Sequence, residues 1–542
     1  MNHKKYVPFQ VFAIFLCGLI VGKFCFSTTK EGIGISLFNG KPSKLQAVIN
    51  LIDNRYVDEV DIDSLTELVI PDIFSKLDPH TKYIPYEKRE ETERTTKGQF
   101  CGIGIEYTFI NDTATVLYAL SGGPGEKSGL LPGDNIVSID TVKLNAGQTT
   151  KKLITSLIAG EKGTPVKLGI IRQGLDSVLF FNIIRDDIPL KSVPAAFTTD
   201  SLTGFIKITS FGEKTYGEFF EKLYDLKQLG IKNLIIDLRD NGGGLLNTAQ
   251  KIISEVLNTN DTIVYTEKRG KETEYMLIDT IQNPLCNGLK IICLVNYSSA
   301  SASEIMAGAV QDNDRGLILG RRTFGKGLVQ TPIALSDNSI VRLTTSRYYT
   351  PSGRSFQKSY EDYGQDYYNR VKNGELDSAN AFQNPNPQVY FTKHGRKVYS
   401  EAGVMPDFFV PAPKTGSQLV YKLDSALAYA KFTARKYNVL VQRDSTLKRN
   451  QKFSDTLFNN EKQLFEDFWN FAAAEITADV KKDKKTFLNS KDMILAQLKA
   501  SVNHILDNED NYYKYSYFSD PDIDSALTLF QDEERFERLL KP

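Results

Sequence analysis

Ser301 and Lys326 supply a nucleophile and a base that need no histidine. They lie in NYSSASASEIMAGAVQDNDRGLILGRRTFGKGLVQ, residues 296 to 330. Ser301 falls in a run of small residues that opens an apolar, helix-like segment. Lys326 sits between Gly325 and Gly327, in a tight turn ahead of a short hydrophobic run. A serine hydroxyl attacks well only when something takes its proton, and a lysine takes it only where its ammonium is made unstable. Flanking glycines let the backbone close around such a lysine and keep water out. The pattern predicts a Ser/Lys hydrolase.

Elimination supports that reading. The chain holds four histidines, His3, His80, His394 and His504. His3 precedes a hydrophobic segment that would separate it from the rest, so a Ser/His/Asp triad would need one of the other three. None has a His, Cys or paired carboxylate at metal-ligand spacing, so neither a metal site nor a cofactor is expected. His80, in LDPHT, reads as a turn or helix end with a structural role. Beyond the first 26 residues the cysteines are Cys101, Cys286 and Cys293, an odd number at irregular spacing. They read as buried free thiols, with no disulfide framework and no histidine nearby to activate them.

A chain of 542 residues is long enough for roughly three or four domains. Its 66 basic and 66 acidic residues are well mixed, which leaves no basic footprint for nucleic acid. Lys4 and Lys5 lead an apolar run from about Tyr6 to Gly22. At ~17 residues it is the short end of a membrane span and longer than most signal-peptide cores. No A-x-A site follows, and Leu16 and Phe24 are too large to precede a lipoprotein cysteine at Cys17 or Cys25. Residues 1 to 26 are read as a signal anchor with its basic end in the cytoplasm and everything after Ser27 exported; a cleaved signal peptide is the alternative.

The elements that would position the pair follow from periodicity. Residues 42 to 97 show helical spacing in KLQAVINLIDNRYV and LTELVIPDIFSKL. From 98 to 187 the texture changes to short strands, FCGIGIEYTF, TATVLYAL, DNIVSID, PVKLGIIR and SVLFFNIIR, around a helix-like TTKKLITSLIAG; this predicts a compact binding module. From 188 onward GFIKITSF, NLIIDLRDNGGG, KIICLVNYSSASASE and GLILG alternate with the helix-like YGEFFEKLYDLKQLG, LLNTAQKIISEVLN and ASEIMAGAVQDN. Such alternation predicts an α/β core with a largely parallel sheet, where ligands gather at the ends of strands. Residues 413 to 542 carry helical periodicity and no chemical motif, and read as an added helical domain that packs on the core or oligomerises it.

Two segments of the binding module resemble a PDZ domain. Gly102-Ile103-Gly104-Ile105 is similar to the loop whose N–H groups hold a peptide's terminal carboxylate, and GPGEKSGLLPGDNIVSID (123 to 140) resembles the helix and Gly-Asp turn of that family. The chain from about 42 to 412 resembles a carboxyl-terminal processing, or tail-specific, peptidase. The resemblance rests on LDPHTKYI, the F-x-G-I-G-I loop, the PDZ turn, GFIKITSF, DLRDNGGG, SASASE, TFGKG-x-x-Q, TPSGRSFQ and GVMPD.

The resemblance implies a multidomain α/β and α+β protein: a crotonase/ClpP-like peptidase core over 188 to 412 with an inserted PDZ domain, a helical N-terminal region and an extra helical C-terminal domain. It also implies that the nucleophilic serine lies 25 residues before the lysine, which selects Ser301 over Ser298, Ser299 and Ser303. Gln330 matches the glutamine that hydrogen-bonds the lysine, and on a strand positions i and i+4 would face the same way. The oxyanion hole would use the Ala302 N–H with Gly242 or Gly243, which the sequence leaves open. The helix N-terminus beyond Ser301 would add a positive dipole.

The expected function is a serine endopeptidase of the bacterial cell envelope, anchored in the inner membrane with its catalytic part in the periplasm. It would take polypeptides with apolar C-terminal tails, bind the tail on the PDZ module and cleave through an acyl-enzyme. The alternatives are a catalytically silent PDZ scaffold, which the intact Ser, Lys and Gln argue against, and a hydrolase of small acyl esters, which has no use for a peptide-binding module. A homo-oligomer or an adaptor would fit the C-terminal region. The tyrosine-rich insertion 358 to 402 departs from the family pattern and would gate access, direct oligomerisation, or do neither.

Overall fold

The computed structural model describes residues 43 to 541 apart from short stretches, among them 93–98, 278–283, 382–387 and 476–483. The expected anchor, residues 1 to 26, lies outside the described residues; among the described residues no helix is long and apolar enough to cross a membrane. The chain divides into two compact units, with the first ending at Asp72. In that unit α1 (Lys44–Arg55) starts at Ser43, whose Oγ accepts the Gln46 N–H. α2 (Ile62–Phe74) follows Asp61, whose carboxylate accepts from the Asp63 and Ser64 N–H groups. These side-chain acceptors satisfy N–H groups that a helix start leaves without partners.

The second unit holds everything else. β1 (Lys82–Ile84) and β2 (Gln99–Gly102) lead into a β-rich module. It consists of β3 (Ile105–Ile110), β4 (Thr113–Ala119), β5 (Asn135–Ile139), β6 (Val142–Lys143), α3 (Lys151–Ile158), β7 (Pro165–Ile171) and β8 (Val178–Ile184). The sheet is antiparallel, in the order β3-β4-β5-β7-β8, with β6 on β5. Alternation in β7 buries Val166, Leu168 and Ile170 against Ile154 and Ile158 of α3. β3 is an edge strand. The chain leaves through β9 (Asp186–Pro189), which pairs antiparallel with β2, so entry and exit are zipped together.

The core follows with β10 (Ala195–Thr198), β11 (Thr203–Lys207), α4 (Thr215–Gln228), β12 (Asn233–Asp237), α5 (Leu246–Val256), β13 (Thr262–Lys268), β14 (Thr273–Leu277), β15 (Lys290–Val295), α6 (Ala302–Asp312) and β16 (Leu317–Gly320). Next come β17 (Leu328–Ala334), β18 (Ile340–Tyr349), α7 (Asp366–Lys372), β19 (Val389–Phe391), β20 (Lys397–Tyr399) and β21 (Phe408–Phe409). The central sheet runs β10-β11-β12-β15-β16-β21, parallel from β11 onward. Its strands are continuous apolar runs because both faces are covered. α4, α5 and α6 pack on one face around Ile206, Leu234, Ile291 and Ile318. A second, antiparallel sheet, β1-β18-β13-β14 with β17 on β18, was not foreseen as a sheet; the hydrophobic run after Lys326 is β17.

The described residues of 413 to 542 are helical as expected but do not stand apart. α8 (Ala428–Arg443) and α9 (Lys491–Ile505) belong to a bundle around Phe432, Phe453, Phe468 and Leu498, into which Leu131 of the β-rich module inserts. α10 (Pro521–Gln531) and α11 (Glu533–Leu540) cover the other face of the central sheet. There Ile523, Leu529, Phe530 and Phe536 meet Phe205, Ile235, Ile292, Leu294, Leu317 and Leu319. Burying each such side chain is worth about 1.5–3 kcal/mol, so this face of the sheet depends on its C-terminal cover.

Candidate active site

Ser301 stands between β15 and α6 with φ 57° and ψ −115°, a left-handed conformation unusual for serine. Such strain costs about 1–3 kcal/mol and has to be held by its surroundings. The neighbouring serines help to hold it: Ser299 Oγ donates to the Leu238 carbonyl (2.8 Å) and Ser303 Oγ to the Asn241 carbonyl (2.9 Å), while the Ala300 N–H also donates to Asn241 (3.0 Å). The 238–244 loop is thereby fastened against the serine turn. A Cβ on Gly243 (φ 97°) would meet the Ala300 carbonyl at 2.7 Å and Ser301 Cβ at 2.8 Å, so no larger residue fits there.

The two expected glycines differ. The Gly243 N–H donates to Asn241 Oδ1 at 2.8 Å. Gly242 is exposed, a Cβ built on it would meet open space, and its N–H donates to no described group, like that of Ala302.

One carboxylate joins the serine turn to the lysine turn. Glu304 is fully buried; its Oε2 accepts from the Ser301 N–H (2.9 Å) and the Lys326 N–H (2.8 Å), and its Oε1 from Thr323 Oγ1 (2.6 Å) and the Gly325 N–H (2.7 Å). Burial pushes its carboxyl above the ordinary range, and the bonds from Thr323 and the three N–H groups pull against that. All four partners are donors, which suits the ionised form. Sequence reading missed this role, although Glu304 three residues after Ser301 is the S-x-x-E spacing of a capped helix start.

Lys326 is partly buried, and burial first and the charge of Arg342 second push its ammonium below the ordinary lysine range, against Glu304 and Asp78. The Ser301 and Lys326 side chains are brought to adjacent turns but are not hydrogen-bonded to one another here. Such contacts are often long before substrate binds. Lys326 precedes β17, so the strand-period argument for Gln330 does not apply; a register shift between Val329 and Gln330 breaks the alternation as well. Gln330 Nε2 is buried and unbonded among the described residues.

The insertion braces the lysine turn from behind. Arg370 on α7 donates to the Arg322 (3.1 Å), Thr323 (2.9 Å) and Phe324 (3.2 Å) carbonyls, and Arg322 pairs with Glu375. A Cβ on Gly325 (φ 91°) would meet the Ala402 carbonyl at 2.8 Å. His80 also comes to this site: its Nε2 shares a hydrogen bond with Tyr363 Oη at 2.6 Å, and burial followed by the Lys326 charge pushes it down to about 4. It is a neutral neighbour of the lysine. His394 lies beside Asp314 and His504 beside Glu106 and Glu509.

A buried ion network stands behind the glycine loop. Arg239 bonds to Asp237, Asp520 and Asp522, and Asp522 also accepts from Arg321 at 2.5 Å. Lys207 Nζ donates to the Arg239 carbonyl at 2.5 Å. Despite burial, Arg239 and Lys207 hold the Asp237 carboxyl well below the usual carboxylate range. In the β-rich module, Gly104 (φ 67°) turns the Gly102–Ile105 loop, and the Ile103 and Gly104 N–H groups donate to no described group. Among the described residues no cluster of His, Cys, Asp and Glu is placed to hold a metal. Cys101, Cys286 and Cys293 are buried and form no disulfide among the described residues.

Comparison with known proteins identifies the family. Residues 202–364 match Peptidase family S41 and residues 101–179 match the PDZ domain family. A carboxy-terminal-processing protease of Bartonella bacilliformis is 38% identical over 314 residues, 57% of this chain and 71% of that protein. A probable CtpA-like serine protease of Staphylococcus epidermidis is 31% identical over 311 residues, 57% of this chain and 62% of that protein. Among solved structures, a photosystem II D1 C-terminal processing protease is 26% identical, covering 57% of this chain and 89% of that one at a TM-score of 0.34. The chain belongs to peptidase family S41, the carboxy-terminal-processing serine peptidases, and carries a PDZ domain.

Proposed function

We propose that the protein is a Ser/Lys endopeptidase that takes exported polypeptides by their C-terminal tails. The observation that carries this is the shared Glu304 carboxylate, which ties the backbones of Ser301 and Lys326 together. The tail's carboxylate accepts from the Ile103 and Gly104 N–H groups, and its backbone adds to the free edge of β3. Lys326, its ammonium destabilised by burial, acts in its neutral form to remove the Ser301 hydroxyl proton, and Gln330 Oε1 accepts from the lysine Nζ–H to orient it. Ser301 Oγ attacks the scissile carbonyl. The Ala302 and Gly242 N–H groups stabilise the oxyanion, since Gly243 is engaged by Asn241. The lysine returns the proton to the leaving amine. Water, giving a proton to Lys326, then attacks the acyl-enzyme ester; the bond to Ser301 Oγ breaks, Lys326 returns the proton to Oγ, and the new C-terminal carboxylate leaves. The basic, apolar residues 1 to 26 support a place in the bacterial cell envelope with the peptidase on the exported side.

The test is cleavage of an unfolded protein with an apolar C-terminal tail by the chain from Lys30 onward, beside Ser301→Ala and Lys326→Ala. Loss of cleavage in both variants with folding intact is expected. Cleavage surviving either substitution overturns the dyad.

A further inference from the structure

The free side of β3 opens onto a cavity of about 420 Å³ whose far wall belongs to the C-terminal region. Ile105, Tyr107 and Lys151 line one side, and Tyr429, Ala430 and Ser501 line the other. Tyr429 is only 3% exposed, yet its hydroxyl has no hydrogen-bond partner among the described residues. Burying a hydroxyl without a partner costs about 1–3 kcal/mol, and packing alone would be served as well by phenylalanine. The wall is fixed in place: Asn438 Nδ2 donates to the Pro132 carbonyl (2.9 Å), Tyr118 Oη to Asp507 (2.8 Å), and Arg449 pairs with Glu126 (2.8 Å).

We propose that this cavity is the second half of the tail-binding site. It takes a large apolar side chain at the third residue from the tail's C-terminus, while the Tyr429 hydroxyl donates to a backbone carbonyl of the tail. The inference rests on the reading of Gly102–Ile105 as the carboxylate loop. A tail held there and paired antiparallel to β3 advances about 3.3 Å per residue, so it passes Tyr107 within roughly 10 Å of its end. At that point Lys151 and the helical wall begin. The volume lies within the ~300–1,000 Å³ of ligand pockets. Ile105, Leu117, Ala430 and Ile505 give the space an apolar part within a mixed lining. At its rim Glu106 lies 3.6 Å from His504, and Lys151 and Asp424 also line the space.

The test uses the chain from Lys30 onward carrying Ser301→Ala and two labelled decapeptides that differ only in Trp or Gly at the third residue from the C-terminus. Fluorescence anisotropy gives both affinities, and an amidated Trp peptide serves as the carboxylate control. The Trp peptide is expected to bind about tenfold tighter. Ala430→Trp fills the cavity and brings the ratio within about twofold; Ser501→Phe fills the same space from α9 and replaces it if the first variant does not fold. Tyr429→Phe weakens both peptides about fivefold while its unfolding midpoint holds or rises, which a merely structural hydroxyl would not do. A tenfold ratio that survives cavity filling, or no ratio in the parent, overturns the inference and leaves the carboxylate loop standing. An amidated peptide that binds as tightly as the free acid overturns the loop reading and the inference with it.

Discussion

Asp522 offers the sharpest test of how the C-terminal region supports the peptidase core. Its side chain is 1% exposed, with one oxygen on Arg239 Nη1 (2.8 Å) and the other on Arg321 Nη1 (2.5 Å). In Asp522→Ala, Arg239 keeps Asp237 and Asp520, but among the described residues the Arg321 side chain keeps only the Val410 carbonyl at 3.4 Å. Removing one partner of a buried pair costs about 3–5 kcal/mol, because the remaining charge stays buried. At a slope of a few kcal/mol per molar, the urea midpoint should fall by about 1 M. The 240–244 loop follows Arg239 directly, so kcat on an unfolded protein should fall with the midpoint. Adding Arg321→Met removes the stranded charge and should restore at least half of the stability. A single variant with an unchanged midpoint, or a double variant no better than the single, would refute the reasoning.

Two further outcomes follow from the site. Glu304→Gln keeps the shape but turns an amide NH₂ toward two of the four donors, stranding two buried donors at about 1–3 kcal/mol each; kcat should drop at least a hundredfold with the helix content unchanged, measured by cleavage and circular dichroism. Because Lys326 acts only when neutral and its ammonium is pushed down by burial, kcat should rise with pH to a plateau whose midpoint lies below the ordinary lysine value of 10.5, and a pH–rate profile with its midpoint at or above that value counts against the lysine as base.

The parts legible in the sequence were those written in local pattern. Alternating apolar runs and helices from 204 to 320 appear as the parallel sheet with α4, α5 and α6, and Gly104 turns the loop that its spacing suggested. Ser301 and Lys326 reach one region of the fold, joined through Glu304. What stayed hidden depends on partners far apart in the chain. Arg239 and Asp522 are separated by 283 residues, and no periodicity in LRDN or DPDID announces the other. The antiparallel sheet joins β1 to β18, pairing Ile84 with Ile340, where local propensity says only that each segment can be extended. His80 read as a turn residue, and Asp78 does cap that turn through the Thr81 and His80 N–H groups. Nothing local shows that the turn lies beside Lys326. Amphipathic spacing in residues 413 to 542 revealed an apolar face but not what that face covers.

The C-terminal region touches both the PDZ module and Arg239, which precedes the glycine loop. α8, α9 and the turns beside them hold the module through Pro132, Tyr118 and Glu126, while Asp520 and Asp522 at the start of α10 hold Arg239. The module's exit is fastened to the core as well: the Glu218 carboxylate accepts from the Ser192 and Val193 N–H groups and from Ser192 Oγ. A PDZ domain swinging freely on a flexible linker would have to break the β2–β9 ladder, the Glu218 contacts and the Asn438, Asp507 and Arg449 bonds together. Several of these groups are buried, and each bond to a charged group is worth about 1.5–3 kcal/mol. A tail bound at β3, as proposed, would therefore act on a braced module.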